Sequence, residues 1–305
     1  MASKQATGPG HDRIDQDNTA PGPLEMDGLP MPRRIWAICA ISFGTALFVV
    51  DGAIANVALP TIARDLSVSN GAVTSVVTVY QLVMVMVLLP FATIGDRIGH
   101  RRLYQIGQVI FFLASAAALL IDSFWHLIVV RVLQSFGAGI ALSVSAAMLR
   151  TIYPAKSLGS GLGINSVIVA TAYAVAPTLG GFIVEHLDWR WVFVAAAPLA
   201  LISLAIGRFL PEPEPRSGRV DTISGLWSAL TALLLIGGLT LATHDMIVPG
   251  FAAIVAGVIS AFLLTRRENG KERPILPVDL MRRPVIGLSV LAAVCAFVAS
   301  AMLIV

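Results

Sequence analysis

Charge is scarce in this sequence. Only 13% of its 305 residues are Asp, Glu, Lys or Arg, and 56% are hydrophobic; soluble domains carry about 25% charged residues. So few ionic groups cannot cover a water-facing surface, which excludes an ordinary soluble fold and leaves lipid as the solvent of much of the exterior. Cysteine is nearly absent. Cys39 and Cys295 lie far apart inside apolar runs, so no disulfide framework follows and both read as small apolar packers. The histidines, His11, His100, His126, His186 and His244, are scattered without metal-ligand spacing. No phosphate-cradling G-x-x-x-x-G-K-[ST] occurs, which argues against an ATP-driven pump. No intramembrane cluster of His, Asp and Glu suggests acid–base or metal chemistry, so neither an enzyme nor a cofactor is expected. The net charge of +3 arises from basic residues that recur between apolar runs instead of forming one patch, which argues against nucleic acid as a partner.

What is present is a series of apolar runs. A spanning helix needs about 20 mostly apolar residues, and such runs start near Ile35, Ala72, Leu103, Phe124, Gly161, Trp191, Ser224, Val248 and Val285. The pattern predicts an all-α polytopic membrane protein with about nine transmembrane helices. The connections after the third, fifth and seventh runs are very short, as antiparallel hairpins require. Residues 1–34 form a polar, Pro/Gly-rich tail that could bury no core, and the first apolar run lies too far in for a secretory signal.

Loop charges predict the orientation. Arg33, Arg34, Arg97, Arg101, Arg102, Arg150, Lys156, Arg208, Arg216, Arg219, Arg266, Arg267, Lys271, Arg273, Arg282 and Arg283 fall on one side; only Arg64 and Arg190 fall on the other. This positive-inside bias predicts a cytoplasmic N-terminus in a cytoplasmic (inner or plasma) membrane. Trp36, Trp125, Trp189, Trp191 and Trp227 lie at or near span ends, as an aromatic belt would.

Charged residues inside spans mark functional candidates. Asp51 lies about 24 Å along the first run at 1.5 Å per residue, and Arg131 lies near the start of the fourth, which runs the other way. Both fall at similar depth in the outer half of the bilayer. Opposite charges there cost less together than apart. Two readings stand: an ion pair that fixes helix packing, and a protonatable site on Asp51 on which burial and Arg131 act in opposite senses.

The stretch Gly95-Asp96-Arg97-Ile98-Gly99-His100-Arg101-Arg102 is the most specific local signal. Asp96 faces the negative end of a helix dipole unless a cation offsets it, and Gly99 permits a tight reversal into the third span. This loop resembles the signature loop of the major facilitator superfamily. Asp51-Gly52-Ala53-Ile54-Ala55-Asn56-Val57-Ala58-Leu59-Pro60 resembles the first-helix signature of the fourteen-helix drug/proton antiporters. Arg131-Val132-Leu133-Gln134-Ser135-Phe136-Gly137-Ala138-Gly139 is similar to the fourth-helix motif with its buried arginine. Ala176-Pro177-Thr178-Leu179-Gly180-Gly181, followed by Asp188-Trp189-Arg190-Trp191-Val192-Phe193, is similar to the fifth-helix antiporter motif and its exit. Ala92, Ser135 and Ala176 stand where the family patterns usually carry glycine. Each exchange is small-for-small and preserves close helix approach.

The resemblance implies two six-helix bundles with two extra helices between them. In these terms, residues 35–210 are the first bundle and 211–223 a Pro-rich cytoplasmic linker. Residues 224–265 are the two-helix insert, 266–284 a cytoplasmic loop, and 285–305 the first helix of an incomplete second bundle. The last apolar run ends bare at Val305, which leads to the expectation of an N-terminal portion of a longer protein. By resemblance, Asp51 and Arg131 serve proton coupling. Asp96, Arg97, Gly99 and Arg101 form a gating loop, and Pro177, Gly180 and Gly181 shape the fifth helix. Asn56, Tyr80, Gln81 and Gln134 are candidates to line a substrate cavity, with interhelical contacts as the plainer role for Tyr80 and Gln81. The implied activity is proton-coupled efflux of amphipathic or cationic small molecules across the lipid bilayer. The alternative is a truncated, transport-incompetent fragment or a structural membrane subunit.

Overall fold

The computed structural model describes residues 28–212, 221–243, 246–269, 287–289 and 292. Most of the ninth expected span, the polar tail before residue 28 and most of the linker lie outside these residues. Among the described residues, eight helical segments are long and apolar enough to cross a membrane. They start within a few residues of the apolar runs, because in hydrocarbon every backbone N–H and C=O must be satisfied within its own segment.

The helices are α1 (Arg33–Asp65), α2 (Asn70–Ile98), α3 (His100–Ala117), α4 (Phe124–Ile152), α5 (Leu158–His186), α6 (Trp191–Val194), α7 (Ala197–Ile206), α8 (Thr222–Thr243) and α9 (Ile247–Glu268). The sixth apolar run thus forms two helices, α6 and α7, with Pro198 in the first turn of α7, where its missing N–H costs nothing. Local signals set the ends. Ser69 and Ser123 cap α2 and α4 by accepting from the backbone N–H of Ala72 (3.1 Å) and His126 (3.3 Å), as N-cap hydroxyls do. Gly99, at φ +104°, makes the single-residue reversal from α2 to α3, a conformation that glycine adopts without strain.

Small residues set how closely the helices pack. A Cβ on Gly107 of α3 would stand 2.6 Å from the Gly137 carbonyl oxygen of α4, and one on Gly137 would stand 2.6 Å from that of Gly107. The two backbones touch, a close approach typical of membrane helices. Gly180 brings α5 onto α1 in the same way, against Ile54 and Val57. In α8 and α9, Gly238 and Gly250 face each other's backbones and Gly257 lies against Leu235, closing these helices into a hairpin that meets α2 where Gly225 packs on Pro90.

Two apolar clusters fill the bundle. One joins the first half of α1 to α2, α3, the second half of α4 and α7, through Ile41, Leu47, Phe111, Val144 and Ala200. The other joins the second half of α1 to the start of α4, α5 and α6, through Ile54, Ile62, Leu127, Ala176 and Phe193. In the first cluster, the Ala40 carbonyl accepts from Tyr104 (3.1 Å) and Ser203 (2.7 Å), and Gln108 donates to Ser203 (3.1 Å). This polar knot pins α1, α3 and α7 together.

Not all the tryptophans form a belt. Trp36, Trp125 and Trp191 are exposed, but Trp189 is buried. The Trp189 indole donates to Asp65 (2.8 Å) and that of Trp227 to Ser260 (2.9 Å). Both rings tie helix ends or helices together, since a buried indole N–H needs an acceptor.

Candidate functional site

The site is built where α1, α2, α3, α4 and α6 converge. Arg131 enters from α4, wholly buried, and donates through Nη1 to Asp51 Oδ2 of α1 (2.9 Å) and to Gln134 Oε1 (3.0 Å). Its Nε points to the Val76 carbonyl of α2 at 3.5 Å. The guanidinium lies 4.0 Å from the centroid of the Tyr80 ring and 5.1 Å from that of Phe193, so two aromatic faces share its charge. Asp51 is equally buried. The matched depth read from the sequence is therefore a direct ion pair.

Gln134 is not on an open surface. Its amide nitrogen donates to Ser115 of α3 (2.9 Å) and to the Phe193 carbonyl of α6 (3.0 Å). It therefore relays the Asp51–Arg131 pair to two further helices. Tyr80 is also buried, whereas Asn56 and Gln81 are exposed. Of the four cavity candidates, the structure thus brings Tyr80 and Gln134 into the ion-pair network and leaves Asn56 and Gln81 facing outward. Ser135, one of the glycine replacements, donates its hydroxyl to the Tyr80 carbonyl and links α4 to α2. The Tyr80 hydroxyl lies within interacting reach of the Asp51 carboxylate, and Arg131 Nη2 is buried without a hydrogen-bond partner among the described residues.

The α2–α3 loop is a separate cluster. Asp96 meets His100 Nε2 at 3.1 Å, Arg101 and Arg102 reach Glu212 at 3.7 and 3.3 Å, and Arg97 is exposed. Arg33 donates to the Phe209 and Leu210 carbonyls, so the starts of α1 and α3 are both tied to the end of the sixth span. On α5, Ala176 and Gly180 are buried against α1, Pro177 is exposed and Gly181 meets no neighbour. One face of this motif packs inside the bundle and the other is open.

A third cluster closes the opposite end. Arg190 Nη1 donates to both carboxylate oxygens of Asp188 (3.0 and 3.2 Å) and lies 3.7 Å from Asp65, and Arg190 Nε donates to the Ile121 carbonyl at 2.6 Å. With the Trp189–Asp65 bond, it clamps the end of α1, the α3–α4 turn and the α5–α6 turn together.

The sequence from residue 41 to 305 matches the Major Facilitator Superfamily pattern. The chain belongs to the Major Facilitator Superfamily. That family is one of transporters and not of enzymes. It is 42% identical over 280 residues to the uncharacterized transporter YebQ of Escherichia coli K12, covering 90% of this chain and 61% of that protein. It is 30% identical over 256 residues to the multidrug efflux pump LfrA of Mycolicibacterium smegmatis, covering 82% and 51%. It is also 30% identical over 262 residues to the tetracenomycin C resistance and export protein of Streptomyces glaucescens, covering 84% and 48%. The chain thus spans about half to three-fifths of the length of these relatives. The fold is also that of the crystal structure of the D-xylose-proton symporter, with a TM-score of 0.51 at 16% identity over 74% of this chain and 66% of that one.

Several residues of the site carried no signal in the sequence. Ser115, Ser203 and the Phe193 carbonyl are chosen by helix packing alone. Asp65 could have been suspected, because Asp188-Trp189-Arg190 supplies a cation and an indole donor on the same side.

Proposed function

We propose that this chain carries the proton-coupling half of an exporter of amphipathic or cationic small molecules, with Asp51 as the exchanging carboxylate. The observation that supports this reading most is the wholly buried Asp51–Arg131 contact of 2.9 Å. A buried charge pair is expensive to build and is retained in membrane helices chiefly where ions or protons move. On this reading, proton uptake cancels the Asp51 charge and removes its pull on Arg131. Arg131 keeps Gln134, the Val76 carbonyl and the Tyr80 and Phe193 rings, while α1 loses its strongest tie to α4. The proton's arrival thereby becomes a change in helix contacts, which is what alternating access around a midplane site needs.

The six spans within 35–210 act as one rocking bundle in this scheme, with 224–265 as an accessory pair and the N-terminus in the cytoplasm. Asp96, Arg97, Gly99 and Arg101 act as the cytoplasmic gate, and the exposed Pro177 face of α5 meets the opposing half. Resistance and efflux functions named for LfrA and the tetracenomycin C exporter support a drug-like substrate class. The test is ethidium efflux by cells expressing the protein with Asp51→Asn. Compared at equal amounts of membrane-inserted protein, efflux is lost; undiminished efflux at equal amounts sinks the proposal.

A further inference from the structure

The α8–α9 hairpin does not close fully against α2. Gly225 rests on Pro90 at one end of α8, and backbone contact at Gly238 and Gly250 draws α8 and α9 together toward the other. Between them, α2, α8 and α9 leave a cleft of about 250 Å³, walled by Val85, Leu89, Ala232, Leu235, Ile236 and Leu264. Its polar members turn away: the hydroxyls of Ser228 and Thr265 donate to carbonyls of their own helices, and Thr231 bonds the Trp227 carbonyl and Ser260. Nothing in the wall solicits water, so the cleft is hydrocarbon-like. It exceeds the roughly 150 Å³ of an apolar cavity that binds benzene.

An exposed guanidinium, that of Arg266, lies just beyond the α9 end of this cleft. Arg266 and Arg267 follow directly on the wall residues Leu264 and Thr265. Arg266 is exposed and stacks over Phe262 at 4.6 Å; Arg267 lies over Trp227 at 5.6 Å and 3.9 Å from Asp221. The nearby carboxylate of Glu268 is turned inward and accepts from Ser224 at 2.7 Å. Exposed Arg97 lies at the corresponding end of α2, two turns beyond Pro90. An apolar slot with an exposed guanidinium just beyond its end is complementary to one amphiphile, a chain carrying an anionic phosphate head.

We propose that this cleft holds an acyl chain of an anionic phospholipid whose headgroup is bound by Arg266 and Arg267, seating the hairpin on the bundle. The chain fills a void that would otherwise forfeit dispersion contacts, and the headgroup pairs with guanidinium groups that face the bilayer surface.

Trp227 reports on the site. The protein is reconstituted in phosphatidylcholine vesicles doped with either phosphatidylglycerol or phosphatidylcholine brominated on its acyl chains. The Trp227 signal is taken as the difference between the native protein and Trp227→Phe. Brominated phosphatidylglycerol is expected to quench it several-fold more than the same fraction of brominated phosphatidylcholine. Arg266→Gln equalises the two lipids, and Ala232→Phe, which fills the cleft, weakens quenching by both. Equal quenching in the native protein overturns the proposal, as does a full phosphatidylglycerol preference in Arg266→Gln. Arg266→Gln alters only an exposed side chain, so the test stays decisive even if Ala232→Phe inserts poorly.

Discussion

Arg131 reaches Asp51 across the α1–α4 interface at 2.9 Å, with both side chains wholly buried. Removing one partner leaves the other charge unpaired in a medium that cannot solvate it, at a cost of about 3–5 kcal/mol. Arg131→Ala is therefore expected to lower the thermal midpoint of the detergent-solubilised protein far more than a surface change. The double variant Asp51→Ala/Arg131→Ala should recover part of that loss, because no orphan charge remains. Equal midpoints for native and Arg131→Ala protein would show that the pair does not hold α1 to α4.

Gly107 and Gly137 let two backbones touch, with added Cβ atoms 2.6 Å from the facing carbonyl oxygens. A carbonyl cannot swing away as a side chain can, so α3 and α4 must part. Gly107→Leu should cost about 1–3 kcal/mol, the usual penalty for overpacking. Gly163→Ala, on α5 where a Cβ meets nothing, should stay within about 0.5 kcal/mol of native. Thermal melts of the two variants side by side check the contrast.

The Trp189 indole donates to Asp65 at 2.8 Å beneath Arg190. Trp189→Phe keeps most of the ring and removes only the donor, so the stability loss should be about 0.5–1.5 kcal/mol. Hydrogen exchange should rise around Asp65, Ile121 and Asp188, the three points that Arg190 ties together. Faster exchange confined to α8 and α9 would contradict the clamp.

The charge bias predicts an orientation with the N-terminus in the cytoplasm, which labelling checks. In a background lacking Cys39 and Cys295, a cysteine at Lys156 should react with a membrane-impermeant maleimide only after the cells are permeabilised. A cysteine at Asp122, in the α3–α4 turn, should react in intact cells. The reverse pattern would place the N-terminus outside.

The span pattern was legible because hydrocarbon forces one long helix per apolar run, and the Asp51–Arg131 contact because helix rise converts residue counts into depth. Rotation about each helix axis was not legible. Gln134 joins the Arg131 network, and its rotation is set by α3 and α6 packing that no spacing records. The knot of Tyr104, Gln108 and Ser203 escaped notice for the same reason: polar residues on α3 and α7 give no sign that they meet, here around Ser203 and the Ala40 carbonyl. The break between α6 and α7 lies at Ala195 and Ala196, two residues that interrupt neither the hydropathy nor the helix propensity of the run.

Substrate-driven proton movement through Asp51 tests the central claim most directly. In vesicles carrying a lumenal pH dye and an imposed proton gradient, adding ethidium should move protons in the native protein. Asp51→Asn should abolish that signal when compared at equal amounts of folded protein in the membrane. Proton movement of native size in Asp51→Asn would remove Asp51 from the coupling pathway and leave its contact with Arg131 as helix packing alone.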